Sequence, residues 1–499
     1  MSSHVSYVAL SYTWGTCRLP GDEALPNEDM PPRLPLTIED AIEVTLRLNY
    51  RYLWIDRYCI IQNGPQKAAE IERMDEVYNG AEVVIIDAVG EDPSQGLAGV
   101  SYPRTQQPVF SNATQTLVGL FKHLINHVRA SKWSSRGWTY QEALMARRRL
   151  FFTCDQVYFE CHVGAHMETL CKSITGDSYI PSIVDDTSRK HYRRENASRP
   201  PLYQYLEEYT RRELTYPSDA LIAFLGVFRS FERQSEPVRH YWGVPILRLT
   251  HEEYEIPVSP LQAFVGGLCW TSIGAQASRR AGFPSWSWVG WDFERRGITY
   301  EESTVRLQPS LMRFRISLKD EMLDWNEFWQ HWRKHDSTVD FYSQFQPSCL
   351  LLKGRVVDIY ASGKTDRCHC GACDELRLGG PVIGNSGKSS KDPLIRAALQ
   401  RVSGTLQPLT AIVIGESAVN LDFISSILLG DGEKLDDRYT PWMTVLLLLD
   451  KQRTESPQSL SQEVLFERIG WVRLGWRSFQ DYENSQWFLQ AKEREVLIV

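Results

Sequence analysis

No stretch of the 499 residues approaches the ~18 consecutive apolar positions that a membrane-spanning helix requires. The opening residues, Met1 to Ser6, are polar and carry no apolar signal segment. Neither GxGxxG nor GxxxxGKS/T sits at a strand-to-helix turn, which excludes a Rossmann fingerprint and a P-loop. Charge of one sign is also scarce. The 55 Lys and Arg against 62 Asp and Glu leave a net −7, so no global field favours DNA or RNA. The ten Cys are scattered, several in strand-like apolar runs, and do not make a dense disulfide framework. These absences predict a soluble protein of the reducing cytoplasm, with no membrane span and no nucleic-acid partner.

What the chain has in excess is aromatic residues, with 16 Trp, 22 Tyr and 19 Phe. With 42% hydrophobic and 23% charged residues the composition is globular. The length predicts two or three domains. Val5 to Tyr12 reads as a buried strand, Tyr52 to Ile55 as a short second strand and Glu82 to Ala88 as a third. Between them Thr37 opens a helix, with Asp40 completing a capping-box pattern, and a second helix runs from Ala68 to Tyr78. Thr116 to Val128 and Trp138 to Met145 read as further helices, and Leu150 to Cys154 and Val157 to Cys161 as strands. This alternation predicts an α/β layer with a mostly parallel sheet. Ligands of such sheets bind beyond the carboxyl ends of the strands, which selects Ser11 to Gly15, Asp56 to Asn63 and Asp87 to Gly99.

Several ordered blocks then carry a family likeness. They are LSYTWG at Leu10 to Gly15, LPLTIEDAI at Leu34 to Ile42 and YLWIDRYCIIQN at Tyr52 to Asn63. MDEVYNGAEVVI at Met74 to Ile85, GLAG at Gly96 to Gly99 and SSRGWTYQEALMARR at Ser134 to Arg148 follow. The chain resembles the fungal heterokaryon incompatibility (HET) domain. LTYPSDALIAFLGV at Leu214 to Val227 and RAGFPSWSWVGW at Arg280 to Trp291 resemble the downstream part of long proteins of that family. Arg57 and Tyr58 depart from the usual Ser-Leu of the second-strand block. The resemblance implies a flavodoxin-like, TIR-like α/β fold and a part in fungal non-self recognition and regulated cell death. Some TIR domains hydrolyse NAD with a Glu placed four residues after a Trp. Trp138 and Glu142 have that spacing, with Thr139 at the usual Cys position. On that analogy Glu142 is the catalytic carboxylate.

The candidate residues each have a structural alternative. Glu142 can stabilise a ribosyl cation beside the Trp138 ring, or bond Arg136, Arg147 or a backbone turn. Asp56 can hold a ribose hydroxyl or a water, or close its own turn. Ser11, Tyr12 and Trp14 can meet a phosphate and stack on a base, or Trp14 can plug the sheet edge. Gln62 offers an amide at the same edge. Arg136 can bind phosphate or pair with Glu142 or Asp56, and Ser134 or Ser135 can cap the helix that follows. Cys59 reads as a buried apolar thiol, and Cys154, Cys161 and His162 as sheet residues. The CHCGAC run leaves open whether Cys368, Cys370 and Cys373 bind metal. No metal set and no cofactor are assigned.

The predicted organisation is a HET-like α/β domain over 1–165, a helical bridge with a Trp-rich segment over 166–300 and a mostly β domain over 301–499 with a helical insertion. In the bridge, Ser218 is the expected N-cap of a helix, and the Trp286 to Trp291 cluster is read as core rather than as a ligand cage. Three functions fit. The first is signalling in non-self recognition through self-association or a protein partner. The second is an NAD N-glycosidase type of enzyme with a nucleotide ligand and Glu142 as its carboxylate. The third is a biosynthetic enzyme on the same scaffold.

Overall fold

The computed structural model describes residues 5–15, 31, 33–119, 124–168, 174–175, 201–235, 237–247, 258–273, 277–300, 308–318, 321–334, 349–359, 409–418, 442–451, 464–476 and 491–499. Cys368, Cys370 and Cys373 lie outside them. The chain divides into two compact units. One takes in Met1–Pro201 and Arg212–Ser230, the other Leu202–Arg211 and Phe231–Val499.

The first unit is built on a seven-stranded sheet. Its elements are β1 (Tyr7–Ser11), α1 (Leu36–Arg47), β2 (Tyr52–Trp54), α2 (Asp56–Cys59), α3 (Lys67–Glu72), α4 (Met74–Gly80) and β3 (Val83–Asp87). β4 (Val109–Ser111), β5 (Thr116–Val118), α5 (Leu124–Arg129), α6 (Lys132–Ser135) and α7 (Gly137–Met145) follow. The sheet is completed by β6 (Arg148–Phe152), β7 (Val157–Cys161), β8 (Gly164–Met167) and β9 (Ile174–Thr175). The strand order is β2-β1-β3-β6-β7-β8-β9.

The sheet is mixed rather than mostly parallel. β2, β1, β3 and β6 pair in parallel, and β6 to β9 pair antiparallel. The cause is the short link after β6. Thr153 Oγ1 donates to the Gln156 carbonyl at 2.7 Å, closing a tight turn that only an antiparallel partner can use. The central strands β1 and β3 are buried on both faces, β3 with five buried residues in a row. Val8, Leu10, Val83 and Ile85 join Ile38, Ala41 and Val44 of α1 in one core.

Three local expectations are corrected. Pro35, not Thr37, sits at the N-cap of α1, and no side chain caps it. Asp40 turns instead to the GLAG segment, accepting the Leu97 amide at 2.6 Å and the Ser101 hydroxyl. The helix expected over Thr116 to Val128 is instead the β4–β5 hairpin followed by the short α5. Asn112 Oδ1 accepts the Thr114 and Gln115 amides at 3.0 and 2.8 Å, and this Asx turn ends any helical start. Arg136, not Ser134 or Ser135, is the N-cap residue of α7, and Ser131 caps α6.

Residues 212–230 complete the unit. Ser218 lies inside a 3-10 turn, Pro217–Ala220, rather than at a helix cap. In the following helix Gly226 donates its amide to Gln141 Oε1 of α7 at 2.7 Å. A Cβ at Gly226 would lie 2.3 Å from the Asp75 Cβ, so only glycine permits the approach. Arg229 Nη1 then reaches Asp75 Oδ1 at 2.6 Å.

In the second unit α8 (Pro201–Tyr209) belongs from Leu202 onward, and α9 (Ile222–Glu232) from Phe231. Strands β10 (Arg239–Tyr241), β11 (Val244–Ile246), β12 (Trp270–Ser272), β13 (Ser278–Arg279), β14 (Trp291–Asp292) and β15 (Ile298–Tyr300) make three pairs, β10–β11, β12–β15 and β13–β14. α10 (Pro260–Gly267) starts on a Ser259 capping box. Trp270, Trp286, Trp288 and Trp291 are all buried, so this aromatic excess is core. The Trp270, Trp288 and Trp291 indole nitrogens donate to backbone carbonyls within the unit, Trp288 Nε1 to that of Gly243 at 2.7 Å.

The C-terminal part is β-rich. β16 (Gln308–Pro309), β17 (Arg313–Leu318), β18 (Glu321–Asp324), β19 (Leu350–Ile359), β20 (Leu409–Ala418), β21 (Trp442–Lys451), β22 (Leu465–Trp476) and β23 (Lys492–Ile498) form one sheet. β19 to β23 close a ring of pairings, because β19 meets both β20 and β23. The insertion after β18 is α11 (Trp325–Trp332), held by an Asp324–Glu327 capping box with Trp325, Phe328 and Trp332 buried.

The Gly226 contact gives a direct test of the first unit's packing. Gly226→Ala is expected to lower stability by about 1–3 kcal/mol, as overpacking does. In urea unfolding this reads as a lower midpoint with an unchanged slope.

Candidate functional site

The parallel strands point their carboxyl ends at one edge, and the chemistry-bearing residues collect there. Ser11 ends β1, Asp56 follows β2, Asp87 ends β3, and α7 brings Glu142 to Ser11. α7 reaches this position because Gly137 sits against the chain at Leu214, where a Cβ would lie 2.6 Å from Leu214 Cδ2. Its amide donates to the Glu213 carbonyl at 2.7 Å.

Glu142 is 4% exposed. Ser11 Oγ donates to its Oε2 at 2.5 Å, and Trp133 Nε1 donates to Ser11 Oγ at 2.9 Å. Tyr78 also bonds Glu142, while its hydroxyl donates to the Leu10 carbonyl at 3.2 Å. Burial raises the Glu142 carboxyl, and the neighbouring Asp56 charge raises it further. Arg136 and the Ser11 and Tyr78 bonds pull it back, leaving it at about 7.

Asp56 occupies the first turn of α2. Trp14 Nε1 donates to its Oδ2 at 2.8 Å, and the Arg57 amide donates to Oδ1 at 2.7 Å. Burial again dominates and raises its carboxyl, against those bonds and the charges of Arg136 and Arg57. Arg57 is buried. Its guanidinium lies 5.2 Å from the Trp14 ring centre, and Nη2 donates to the Trp14 carbonyl at 3.2 Å. The departure from Ser-Leu at this turn therefore grips the first loop.

Arg136 Nη1 donates to the Tyr12 carbonyl at 2.7 Å, so it holds the same loop from the other side. Tyr12 is buried, and its hydroxyl and the Thr13 hydroxyl have no hydrogen-bond partner among the described residues. The Asp56, Arg57 and Arg136 charges all act on the Tyr12 phenol, which burial raises well above its usual range. Gln62 Nε2 donates to the carbonyls of Asp56 and Ile60 at 3.0 and 3.2 Å, closing its own turn.

The structure thus brings Ser11, Tyr12, Trp14, Asp56, Arg136 and Glu142 into one electrostatic neighbourhood. Trp138 points elsewhere, donating from Nε1 to Asp219 Oδ2 at 2.9 Å. The indole on the Ser11–Glu142 pair is Trp133, five residues earlier, which the Trp-to-Glu spacing passes over. Its place immediately before that block, ahead of the break at Arg136, is the one signal that it belongs here. Cys59 is exposed rather than buried, because α2 is a single turn and its last side chain faces out. Two further buried carboxylates, Asp40 and Asp87, sit at the same edge. Burial raises Asp87 to about 6 against bonds from Gly90, Val89 and Thr37.

The Glu142 shift fixes a stability trend. Its folded value lies above the ordinary 4.5, so the native state binds the extra proton between about 4.5 and about 7. The contribution is full below about 4.5 and is lost as pH rises through about 7. Glu142→Gln is therefore expected to gain stability relative to wild type across that window, by about 3 kcal/mol at most. Urea unfolding of both proteins at several pH values checks it.

Comparison with known proteins places a family on this same region. The family model described as heterokaryon incompatibility protein (HET) matches residues 7–142, which run from β1 through Glu142. A Neurospora crassa protein, heterokaryon incompatibility protein 6, OR allele, is 32% identical over 94 residues. That likeness covers 16% of this chain and 14% of the relative. No solved structure matches. The N-terminal region of the chain, carrying the candidate site, is HET-domain-like and resembles the fungal heterokaryon incompatibility family.

Proposed function

We propose that the chain acts in fungal non-self recognition, and that its HET-like region does so as a nucleotide-directed enzyme of the NAD N-glycosidase type. The observation that carries the reading is the Glu142 carboxyl, buried against Ser11 and Tyr78 and held at about 7. A carboxyl perturbed in this way, at the carboxyl edge of parallel strands and facing a second carboxylate, is the pattern of a working group. The name of the Neurospora relative and the family match support the recognition role.

In this reading a ribose hydroxyl takes the place of Ser11 Oγ on Glu142. The ionised carboxylate then stabilises the ribosyl cation as the C1–N bond breaks. The bond electrons leave with the nicotinamide, and water adds to the cation, releasing its proton to solvent. Asp56 adds negative charge, Trp14 offers a ring to stack, and Arg136 and Arg57 meet the phosphates. The Tyr12 and Thr13 hydroxyls, unpartnered among the described residues, support a polar ligand at this loop. Self-association regulates the activity, with the C-terminal β-rich part binding the partner.

A scaffold role for Glu142 makes the opposite prediction, so the test separates the two. Purified wild-type protein incubated with NAD is expected to release nicotinamide. Glu142→Gln keeps the hydrogen-bonding shape and is expected to lose at least ~100-fold in kcat/KM with an unchanged fold. Turnover equal to wild type in Glu142→Gln contradicts the mechanism.

The ionised form is the working one, so kcat/KM is expected to rise with pH and reach half its plateau at about 7. Asp56→Asn removes a charge that raises Glu142, and is expected to move that midpoint to lower pH.

A further inference from the structure

The same sheet edge carries a second cluster that the carboxyl site does not use. Beyond β6 the turn to β7 presents Cys154 and Asp155, and α5 brings His127 over them. Cys154 Sγ lies 3.6 Å from His127 Nε2 and 3.8 Å from Nδ1. Asp155 Oδ2 lies 3.6 Å from His127 Nδ1, and Asp155 Oδ1 lies 3.6 Å from Cys154 Sγ. We propose that His127, Cys154 and Asp155 form a metal site of the zinc class, with one coordination position open to solvent.

The spacing is that of a tetrahedron's edges. With metal bonds of ~2.0 Å to nitrogen and oxygen and ~2.3 Å to sulfur, ligand atoms stand about 3.3–3.5 Å apart. All three candidate ligand atoms lie within 4.8 Å of one another, so small side-chain rotations complete the geometry. The donor set fixes the metal class. One thiolate, one imidazole and one carboxylate suit Zn²⁺ and its first-row neighbours, whereas Mg²⁺ and Ca²⁺ take oxygen alone.

The mount is rigid. Thr153 Oγ1 accepts the Gln156 amide at 3.1 Å while donating to the Gln156 carbonyl, which locks the turn that carries both Cys154 and Asp155. The Thr105 amide donates to the Cys154 carbonyl at 2.8 Å. On α5 the neighbours of His127 that face inward, Leu124, Ile125 and Val128, are buried and fix the helix in place. The His127 side chain is 31% exposed and that of Asp155 13%, which leaves solvent access for the fourth position.

Burial and the Asp155 carboxylate raise the Cys154 thiol, which donates to Asp155 Oδ1. That disfavours a nucleophilic role. On metal binding the thiol proton passes to solvent and the metal–sulfur bond replaces it. The metal then ties α5 to the β6–β7 turn.

The test is a titration of the full chain with Co²⁺ alone, followed by Zn²⁺ displacement. Wild type is expected to develop a thiolate-to-cobalt charge-transfer band that Zn²⁺ removes. The band is expected to persist in Cys161→Ser and in the triple variant Cys368→Ser, Cys370→Ser, Cys373→Ser. It is expected to vanish in Cys154→Ser. His127→Ala is expected to bind at least ~10-fold more weakly, which keeps the test open if Cys154→Ser fails to fold. Absence of the band in wild type, its survival in Cys154→Ser, or its loss in the triple variant overturns the proposal.

Discussion

A carboxyl group taken out of water must be neutralised or surrounded by donors, because an unpaired buried charge is strongly unfavourable. Glu142 receives some of each. Ser11, itself steadied by the Trp133 indole, donates to it, and Tyr78 closes the other side. Asp56 nearby keeps it from settling into an ordinary carboxylate. The bond between Ser11 and Glu142 also ties the end of β1 to α7, so the first strand, the first loop and the catalytic candidate share one constraint. Burial brings the group's titration close to neutral pH, and the same burial makes it part of the scaffold.

The sheet edge assigns different work to similar residues. Asp40 and Asp87 accept backbone amides from the segments that follow β3, so they organise loops. Asp56 holds an indole and a backbone amide and faces two guanidinium groups across the first loop. Arg57 and Arg136 grip that loop from opposite sides, leaving two buried hydroxyls on it unmatched among the described residues. Two carboxylates that organise loops and two that confront each other are therefore separated by partners, not by residue type.

Much of this was legible in the chain. The buried strands β1 and β3 announce themselves as near-continuous apolar runs, and the rule that ligands sit past the carboxyl ends of parallel strands selects the edge where Ser11 and Asp56 lie. Ser11 and Asp56 follow from those placements, and Glu142 from the family likeness. What the sequence hid depends on contacts distant along the chain. Trp138 has the right spacing to Glu142, but Asp219, 81 residues away, draws its indole off. Trp133 takes its place because the helix breaks at Arg136. The segment around Leu117 has helix-like apolar spacing, and only the Asn112 side chain bonding its own turn makes it a hairpin. The antiparallel half of the sheet was readable in the four-residue link after β6, which is too short for a crossover. His127 meeting Cys154 was not readable, since nothing local joins α5 to that turn.

The account turns on whether Glu142 holds its proton to near neutral pH, and infrared difference spectroscopy reads that directly. Spectra of wild type minus Glu142→Gln, recorded across pH, isolate the single carboxyl. A protonated carboxyl band that disappears with a midpoint at about 7 is the predicted result. A midpoint in the ordinary carboxylate range, about 4.3, would contradict it.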